Sequence, residues 1–245
     1  MFPTSSSDAT RADDGSRRAE LAANLASVRE RVRAACEAAG RDPAEITVIA
    51  VTKTRPASDV RLLAGLGIAD IGENRDSEAA PKAASCSDLD LTWHFVGQLQ
   101  TNKCRSVVRY AGVVHSVDRE RLVHALGAAA RAEGRTVTGL LQVRLDDDPQ
   151  RGGVTPGEVA DLAQAVDNEA GLRLGGVMAV APLGQPPEPA FAVLADCAAV
   201  VRSVRPEATV ISAGMSGDVE AAIVAGATHV RIGTALLGNR RPRVM

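Results

Sequence analysis

The hydrophobic positions of this chain follow two different spacings. Between residues 17 and 39, apolar side chains recur every three or four positions, which is typical of an amphipathic helix that ends before Gly40. The buried face of this helix is predicted to carry Leu21, Leu25, Val28, Val32 and Cys36. After Gly40, short apolar runs of strand length alternate with segments of helical spacing, which indicates a repeating strand–helix unit.

Eight apolar runs are predicted to be strands. They are Ile46–Lys53, Ile68–Asn74, Thr92–Gly97, Gly112–Asp118, Val137–Leu145, Leu172–Val180, Thr209–Ser216 and His229–Thr234. The helices between them are predicted to begin near Ser58, Asp76, Asn102, Arg119, Pro156, Glu188 and Gly217. Eight alternating units in 245 residues fit a closed parallel barrel, which typically needs about 250 residues. The predicted fold is therefore α/β, a single TIM-type (β/α)8 barrel with an extra N-terminal helix.

The predicted barrel domain runs from residue 17 to residue 240. Residues 1–16 are small, polar and charged, and we expect a disordered N-terminal tail there. At residues 155–158 the order Thr-Pro-Gly-Glu predicts a capping box at the start of a helix.

Composition narrows the range of partners. The formal net charge is −2 and aromatic residues make up 2% of the chain, so no nucleic-acid surface is expected. The four cysteines and four histidines are dispersed, which predicts neither a disulfide framework nor a metal site. No apolar run reaches the ~18–20 residues of a membrane span, and the N-terminus lacks an apolar signal core. We expect a cytoplasmic monomer with no membrane partner.

Small and hydroxyl-bearing residues mark the ends of the last two predicted strands. Barrel enzymes carry their sites at the carboxyl ends of the strands, and phosphate commonly lies after strands seven and eight. The candidate phosphate ligands are Ser212, Gly214, Ser216, Gly233 and Thr234. The alternative is ordinary turn chemistry, because glycine and serine are also common in loops that bind nothing.

Two cationic side chains lie at or near strand ends. Lys53 ends the first predicted strand, where it either reaches solvent or points into the barrel mouth. Inside the mouth it would lose part of its hydration, which favours a nucleophilic amine. A lysine near a phosphate site suggests a Schiff base with pyridoxal phosphate (PLP).

Arg231 lies inside the eighth strand, where either a pyridine nitrogen or a barrel carboxylate would satisfy its hydrogen-bond donors. His94 is expected to be a core histidine, and Asn74 could bond a cofactor ring hydroxyl.

Several motifs carry a resemblance to a known family. They are AVTKTRP at 50–56, IGEN at 71–74, WHFVGQLQTNK at 93–103, HSVD at 115–118, GMSGD at 214–218 and VRIGTALLG at 230–238. Over about residues 18–240 the chain resembles the pyridoxal phosphate homeostasis proteins, also called YggS/PROSC-like proteins. The resemblance implies a fold-type III PLP barrel, similar to the N-terminal barrel of alanine racemase.

The resemblance also implies roles for individual residues. Lys53 would hold PLP as an internal aldimine, Arg231 would face the pyridine nitrogen and Asn74 would lie near the ring. Phosphate binding would fall to Ser212, Gly214, Met215, Ser216, Gly233 and Thr234. Family members are regarded as carriers or regulators of PLP, without an established reaction, so no catalytic residue is expected. The implied partners are PLP, small amines or amino acids, and apo forms of PLP enzymes.

Two alternatives to a carrier role follow from the same residues. A PLP-dependent amino-acid racemase needs an acid or base on each face of the substrate, typically lysine and tyrosine. The one tyrosine, Tyr110, is predicted at the end of the helix after the third strand, away from the barrel mouth, and no second domain that could supply another base is expected. The other alternative is a phosphosugar enzyme that uses Lys53 without PLP.

Overall fold

Eight parallel strands close into a barrel in sequence order, as the alternating pattern predicts. The computed structural model describes residues 6–146 and 152–238, with side chains from residue 15 onward. The strands are β1 (Thr47–Val51), β2 (Asp70–Glu73), β3 (Thr92–Phe95), β4 (Ala111–Val117), β5 (Val137–Gln142), β6 (Leu172–Met178), β7 (Val210–Ser212) and β8 (His229–Ile232). The barrel closes where β8 pairs with β1, with Arg231 opposite Ile49.

Helices lie on the outside of the barrel. They are α1 (Ser6–Ala39), α2 (Ala57–Ala64), α3 (Asp76–Ser85), α4 (Cys104–Tyr110), α5 (Glu120–Ala132), α6 (Val159–Asn168), α7 (Pro187–Val204), α8 (Val219–Val224) and α9 (Thr234–Leu237). Helices α2 to α8 connect successive strands, whereas α1 precedes β1 and α9 follows β8. Short 3-10 turns lie at Pro43–Glu45, Thr101–Lys103 and Pro156–Glu158, and Thr155 with Glu158 forms the predicted capping box. Among the described helices, none combines the length and the apolar character needed to cross a bilayer.

The strands are shorter than predicted at their carboxyl ends. β1 stops at Val51, and Lys53 lies in the turn that follows it. Similarly, β2 stops at Glu73, just before Asn74. Strands of a parallel sheet are covered on both faces and read as apolar runs, so the polar residues that end each run belong to the loops of the barrel mouth.

Helix α1 begins at Ser6, eleven residues before the predicted start at Arg17 (17 − 6 = 11). The expected disorder of residues 1–16 therefore differs from the structure from Ser6 onward, whereas residues 1–5 lie outside the described part. No proline interrupts Ser6–Ala39, so a helix stabilised by packing can extend toward its N-terminus at little cost.

The apolar face of α1 packs against the outside of the barrel. All five predicted face residues are buried, with Leu21 and Cys36 fully so, and they join a core with Val219, Ile223 and Leu236. Asn24 donates to the carbonyl of Leu236 at 3.0 Å. Through these contacts α1 supports α8 and α9, the two helices that follow the candidate phosphate loops.

Candidate functional site

A cavity of about 400 Å³ opens at the carboxyl ends of the strands. Its volume lies in the range of small-molecule sites, about 300–1,000 Å³. It is lined by Val51, Lys53, Asn74, Val96, Gly97, Met178, Val180, Met215, Ser216, Gly217, Arg231, Gly233 and Thr234. The structure thus brings together every predicted ligand-binding residue except Ser212 and Gly214, which do not line the cavity.

Ser212 and Gly214 lie next to lining residues without lining the cavity themselves. Ser212 is fully buried, and its hydroxyl is already hydrogen-bonded to Arg231 and His115. Gly214 has φ +87°, and a Cβ there would press on the methyl group of Ala222. Glycine tolerates this left-handed backbone, which lets the loop after β7 turn toward the cavity. The phosphate contacts that the resemblance implies for Ser212 and Gly214 stay a prediction.

The loop after β7 and the start of α9 form the candidate anion site. The carboxylate of Asp218 accepts from the amide of Met215 at 2.6 Å, and the hydroxyl of Ser216 accepts from the amide of Ala235 at 3.2 Å. The first bond lies within the loop after β7, and the second links this loop to the start of α9. Within the described part of the chain, the amides of Ser216, Gly217 and Thr234 have no hydrogen-bond partner. Unpaired amides beside a cavity are suited to binding an anion.

Arg231 lies at the floor of the cavity. Its Nη1 donates to the carbonyl and the hydroxyl of Ser212, both at 2.7 Å, and its Nη2 donates to the carbonyl of Ala179 at 2.7 Å. All of these acceptors are neutral, which differs from the carboxylate partner considered above. Burial lowers the pKa of Arg231 to about 10, so its guanidinium stays charged at neutral pH. Since a guanidinium has five N–H donors, part of it remains available to a ligand.

Lys53 follows β1, the strand that pairs with β8, and it lines the cavity while its side chain stays solvent-exposed. The turn that carries it is held on both sides by α3. The carbonyl of Thr52 accepts from the Lys82 ammonium at 2.9 Å, and the amide of Thr54 donates to the Glu78 carboxylate at 2.9 Å. Thr54 has φ +64°, a left-handed conformation that is uncommon for a β-branched residue. The backbone around Lys53 is therefore fixed by α3, while its side chain is exposed.

A buried ion pair lies directly beneath this turn. The Glu73 side chain is fully buried and that of Lys82 is 7% exposed, and the two are in direct contact. The same Glu73 oxygen accepts from the Thr52 hydroxyl at 2.6 Å, while its other oxygen has no partner within the described residues. Sequence reasoning missed this pair, because nothing in the spacing of a strand-end glutamate and a helical lysine distinguishes it from a surface pair.

Asn74 approaches the next strand loop closely. A Cβ at Gly97 would collide with the backbone carbonyl of Asn74, so only glycine allows the loops after β2 and β3 to meet at the cavity. Asn74 therefore lies on the lining at a fixed backbone position.

His94 and Tyr110 lie away from the cavity lining, as predicted. His94 is 2% exposed and bonds to Asp70 and His115 inside the barrel. Tyr110 ends α4 on the outer side and packs edge-on against Trp93. Burial raises the pKa of Tyr110 well above its ordinary value, so its hydroxyl stays protonated. Of the acidic stretch at 146–148, only Asp146 lies within the described residues.

Comparisons with known proteins agree with this architecture. The family model for the alanine racemase N-terminal domain matches residues 23–241. An alanine racemase from Streptomyces coelicolor shares the fold, with a TM-score of 0.72 and 21% identity over 91% of this chain and 59% of that one. PipY of Synechococcus elongatus, solved without PLP and with PLP bound, has TM-scores of 0.80 and 0.78. PipY is 35% identical over 89% of this chain and its whole length.

Curated relatives extend the match along the sequence. The pyridoxal phosphate homeostasis protein of Mycobacterium tuberculosis is 44% identical over 93% of this chain and 95% of its own length. The protein of the same name from Escherichia coli is 37% identical over 90% of this chain and 97% of its own. The resemblance carried by the sequence motifs is confirmed, and this chain belongs to the pyridoxal phosphate homeostasis protein family.

Proposed function

We propose that this protein binds PLP in the cavity at the barrel mouth and takes part in vitamin B6 and amino-acid homeostasis. The observation that carries the proposal is the meeting of three groups around one cavity: the amine of Lys53, the guanidinium of Arg231 and the unpaired amides of the loops after β7 and β8. The names of the curated relatives and the PLP-bound structure of PipY support it.

The residues present fit the chemistry of the cofactor. The amides of Ser216, Gly217 and Thr234 and the hydroxyls of Ser216 and Thr234 would bind the phosphate. The side chains of Asn74 and Arg231 would meet the ring hydroxyl and the ring nitrogen. PLP supplies an aldehyde conjugated to an electron-withdrawing ring. Because Arg231 keeps its proton at neutral pH, it would donate to the ring nitrogen rather than protonate it, which weakens the ring as an electron acceptor.

The proposed link to the protein is a Schiff base on Lys53. The amine of Lys53 would attack the cofactor aldehyde, and a carbon–nitrogen double bond would replace the carbonyl with loss of one water. Because the side chain of Lys53 is exposed, free amines can reach this bond and exchange with it. Transfer to apo forms of PLP enzymes by a monomeric carrier is part of the same proposal.

A racemase is the less favoured function. Tyr110 lies outside the barrel and does not line the cavity, so it cannot act as the second base there. Racemisation of alanine at enzymatic rates, on the order of 1–10³ per second, would overturn the carrier assignment.

Reduction with borohydride tests the lysine assignment. Protein loaded with PLP and reduced is expected to carry the pyridoxyl mass on the peptide that contains Lys53. The variant Lys53→Arg should lose this label, whereas Lys103→Arg should keep it. Label on the peptide of Lys82 or Lys103 in the wild type would show that the assignment is wrong, and a colourless protein that takes up no PLP would contradict the function itself.

Alanine substitutions test the anion site. Each of the variants Ser216→Ala and Thr234→Ala removes a hydroxyl that would donate to the phosphate and keeps the backbone amide. We expect each to weaken PLP retention about tenfold or more, since hydrogen bonds to charged groups contribute about 1.5–3 kcal/mol. Ser203→Ala, on the exposed side of α7, is the matched control and should leave retention unchanged. Dialysis followed by absorbance measures retention, and circular dichroism checks the fold. Unchanged retention in both cavity variants would remove the anion-site assignment.

A further inference from the structure

A chain of polar side chains runs through the barrel interior beneath Arg231. The hydroxyl of Ser212 lies 2.7 Å from Nη1 of Arg231 and 3.0 Å from Nδ1 of His115. Nε2 of His115 lies 2.9 Å from Nδ1 of His94, and Nε2 of His94 lies 2.9 Å from Oδ1 of Asp70. The five residues come from β8, β7, β4, β3 and β2, so the chain crosses the barrel rather than following its sheet.

The chemistry of the two ends gives this chain a direction. At one end the guanidinium of Arg231 can only donate, and at the other an ionised carboxylate of Asp70 can only accept. With both imidazoles neutral, each residue between them donates once toward Asp70 and accepts once from the side of Arg231. His94 and His115 then both carry their proton on Nε2, and no donor or acceptor in the chain is left unpaired.

The surroundings of His115 favour this neutral arrangement. His115 is 0% exposed, and its pKa is lowered well below its ordinary value, first by burial and then by His94, Arg231 and His229. A second proton on His115 would sit on Nδ1, so the Ser212 hydroxyl would lose the acceptor to which it donates. It would also add a second cation beside Arg231. Asp70, in contrast, is 27% exposed at the amino end of β2, where water can solvate its charge.

We propose that Ser212, His115 and His94 are positioning residues that hold the guanidinium of Arg231 toward the cavity through a one-directional hydrogen-bond chain ending on Asp70. Arg231 would then meet the ring nitrogen of an aromatic ligand in the cavity. This part of the inference rests on the proposed binding of PLP. Ser212 thereby acts through Arg231 and not on the phosphate. Loss of the Ser212 hydroxyl leaves Arg231 with its two carbonyl partners alone, so the guanidinium can turn away from the ligand.

Nitrogen-15 NMR of the histidine rings in the apoprotein tests the chain without any cofactor. At pH 7 we expect His94 and His115 both to be neutral with the proton on Nε2. Ser212→Ala should shift the ring signals of His115 and also those of His94, which lies one hydrogen bond beyond His115. His229 is the internal control, because it bonds to Thr228 and stands outside the chain. A proton on Nδ1 of either chain residue, or unchanged His94 signals in the variant, would overturn the proposal.

A pair of ligands tests the effect on Arg231. The probes are PLP and its analogue in which a C–H group replaces the ring nitrogen. Ser212→Ala should weaken PLP binding about tenfold, the size expected for impairing one hydrogen bond to a charged group, and change the analogue's affinity less than about twofold. His229→Gln removes a neighbouring histidine and should alter neither affinity. Equal losses for both ligands in Ser212→Ala would indicate general loosening and overturn the positioning role. A wild-type protein that binds neither ligand would contradict the proposed function, and the apoprotein measurement would still decide on the chain.

Discussion

Replacing Lys82 with methionine removes the cation beneath the turn that carries Lys53. Glu73 then keeps only the Thr52 hydroxyl as a described donor, and its second carboxylate oxygen has no partner already. The carbonyl of Thr52 also loses its bond to the ammonium. We therefore expect Lys82→Met to lower both the stability of the barrel and the retention of PLP.

The size of the stability loss follows from burial. With Glu73 fully buried and Lys82 only 7% exposed, little solvent reaches the Glu73 carboxylate to screen its charge once Lys82 is replaced. Removing one member of such a pair costs about 3–5 kcal/mol, whereas replacing both by apolar side chains is often neutral. In a protein of this length, 1 kcal/mol moves the melting temperature by about 2–4 °C, so a fall of roughly 6–20 °C is expected.

Urea denaturation and thermal melts measure the effect in the apoprotein. The double variant Lys82→Met/Glu73→Met should recover most of the loss, because it removes the unpaired charge together with its partner. Arg61→Met is the control, since Arg61 pairs with Asp88 at the surface and should change stability little. The reasoning fails if Lys82→Met is as stable as Arg61→Met, or if the double variant is no more stable than Lys82→Met.

Two further predictions concern stability. The pKa of His229 is lowered from 6.5 to about 4, chiefly by burial, so the unfolded chain binds a proton that the folded barrel excludes. The free energy of unfolding should therefore fall as the pH drops from about 6.5 toward 4, by up to about 3 kcal/mol from this residue, and urea titrations of His229→Gln should show a shallower fall. Thr54→Gly should keep or raise stability by about 1 kcal/mol, because glycine adopts φ +64° without the strain of a β-branched residue. A clear loss of stability would contradict the strain at Thr54, and an unaltered pH profile would contradict the assignment to His229.

The barrel could be predicted from the sequence because each of its strands is covered on both faces. β1 reads as a nearly unbroken apolar run, and β5 is buried at five of its six residues. The spacing of the strands leaves room for one helix between neighbours. The start of α1 was less predictable. Its first residues have no apolar periodicity, and the helix continues there only by extension from the packed segment around Leu21.

The rim of the candidate site was predictable for a related reason. Parallel strands all end at one edge, so residues that follow apolar runs, such as Lys53, Asn74 and Thr234, must gather at the same end of the barrel. The contacts behind the rim were not predictable. His115 on β4 meets Ser212 on β7 across the interior, and neither strand pairs with the other in the sheet. Such contacts depend on the register and tilt of the strands, which hydrophobic spacing does not report.

The two cationic residues of the cavity are held differently, and the difference bears on what the protein would do with a bound ligand. Arg231 is buried and held by three described hydrogen bonds, so the floor is rigid. Lys53 is exposed on a turn whose backbone alone is fixed by α3. An enzyme that abstracts a proton from its substrate excludes water and places an acid or base on each face. With PLP bound as proposed, the exposed amine of Lys53 and the rigid Arg231 would do neither, but they would let an incoming amine compete for the ligand. We infer that the architecture favours holding and exchange over turnover.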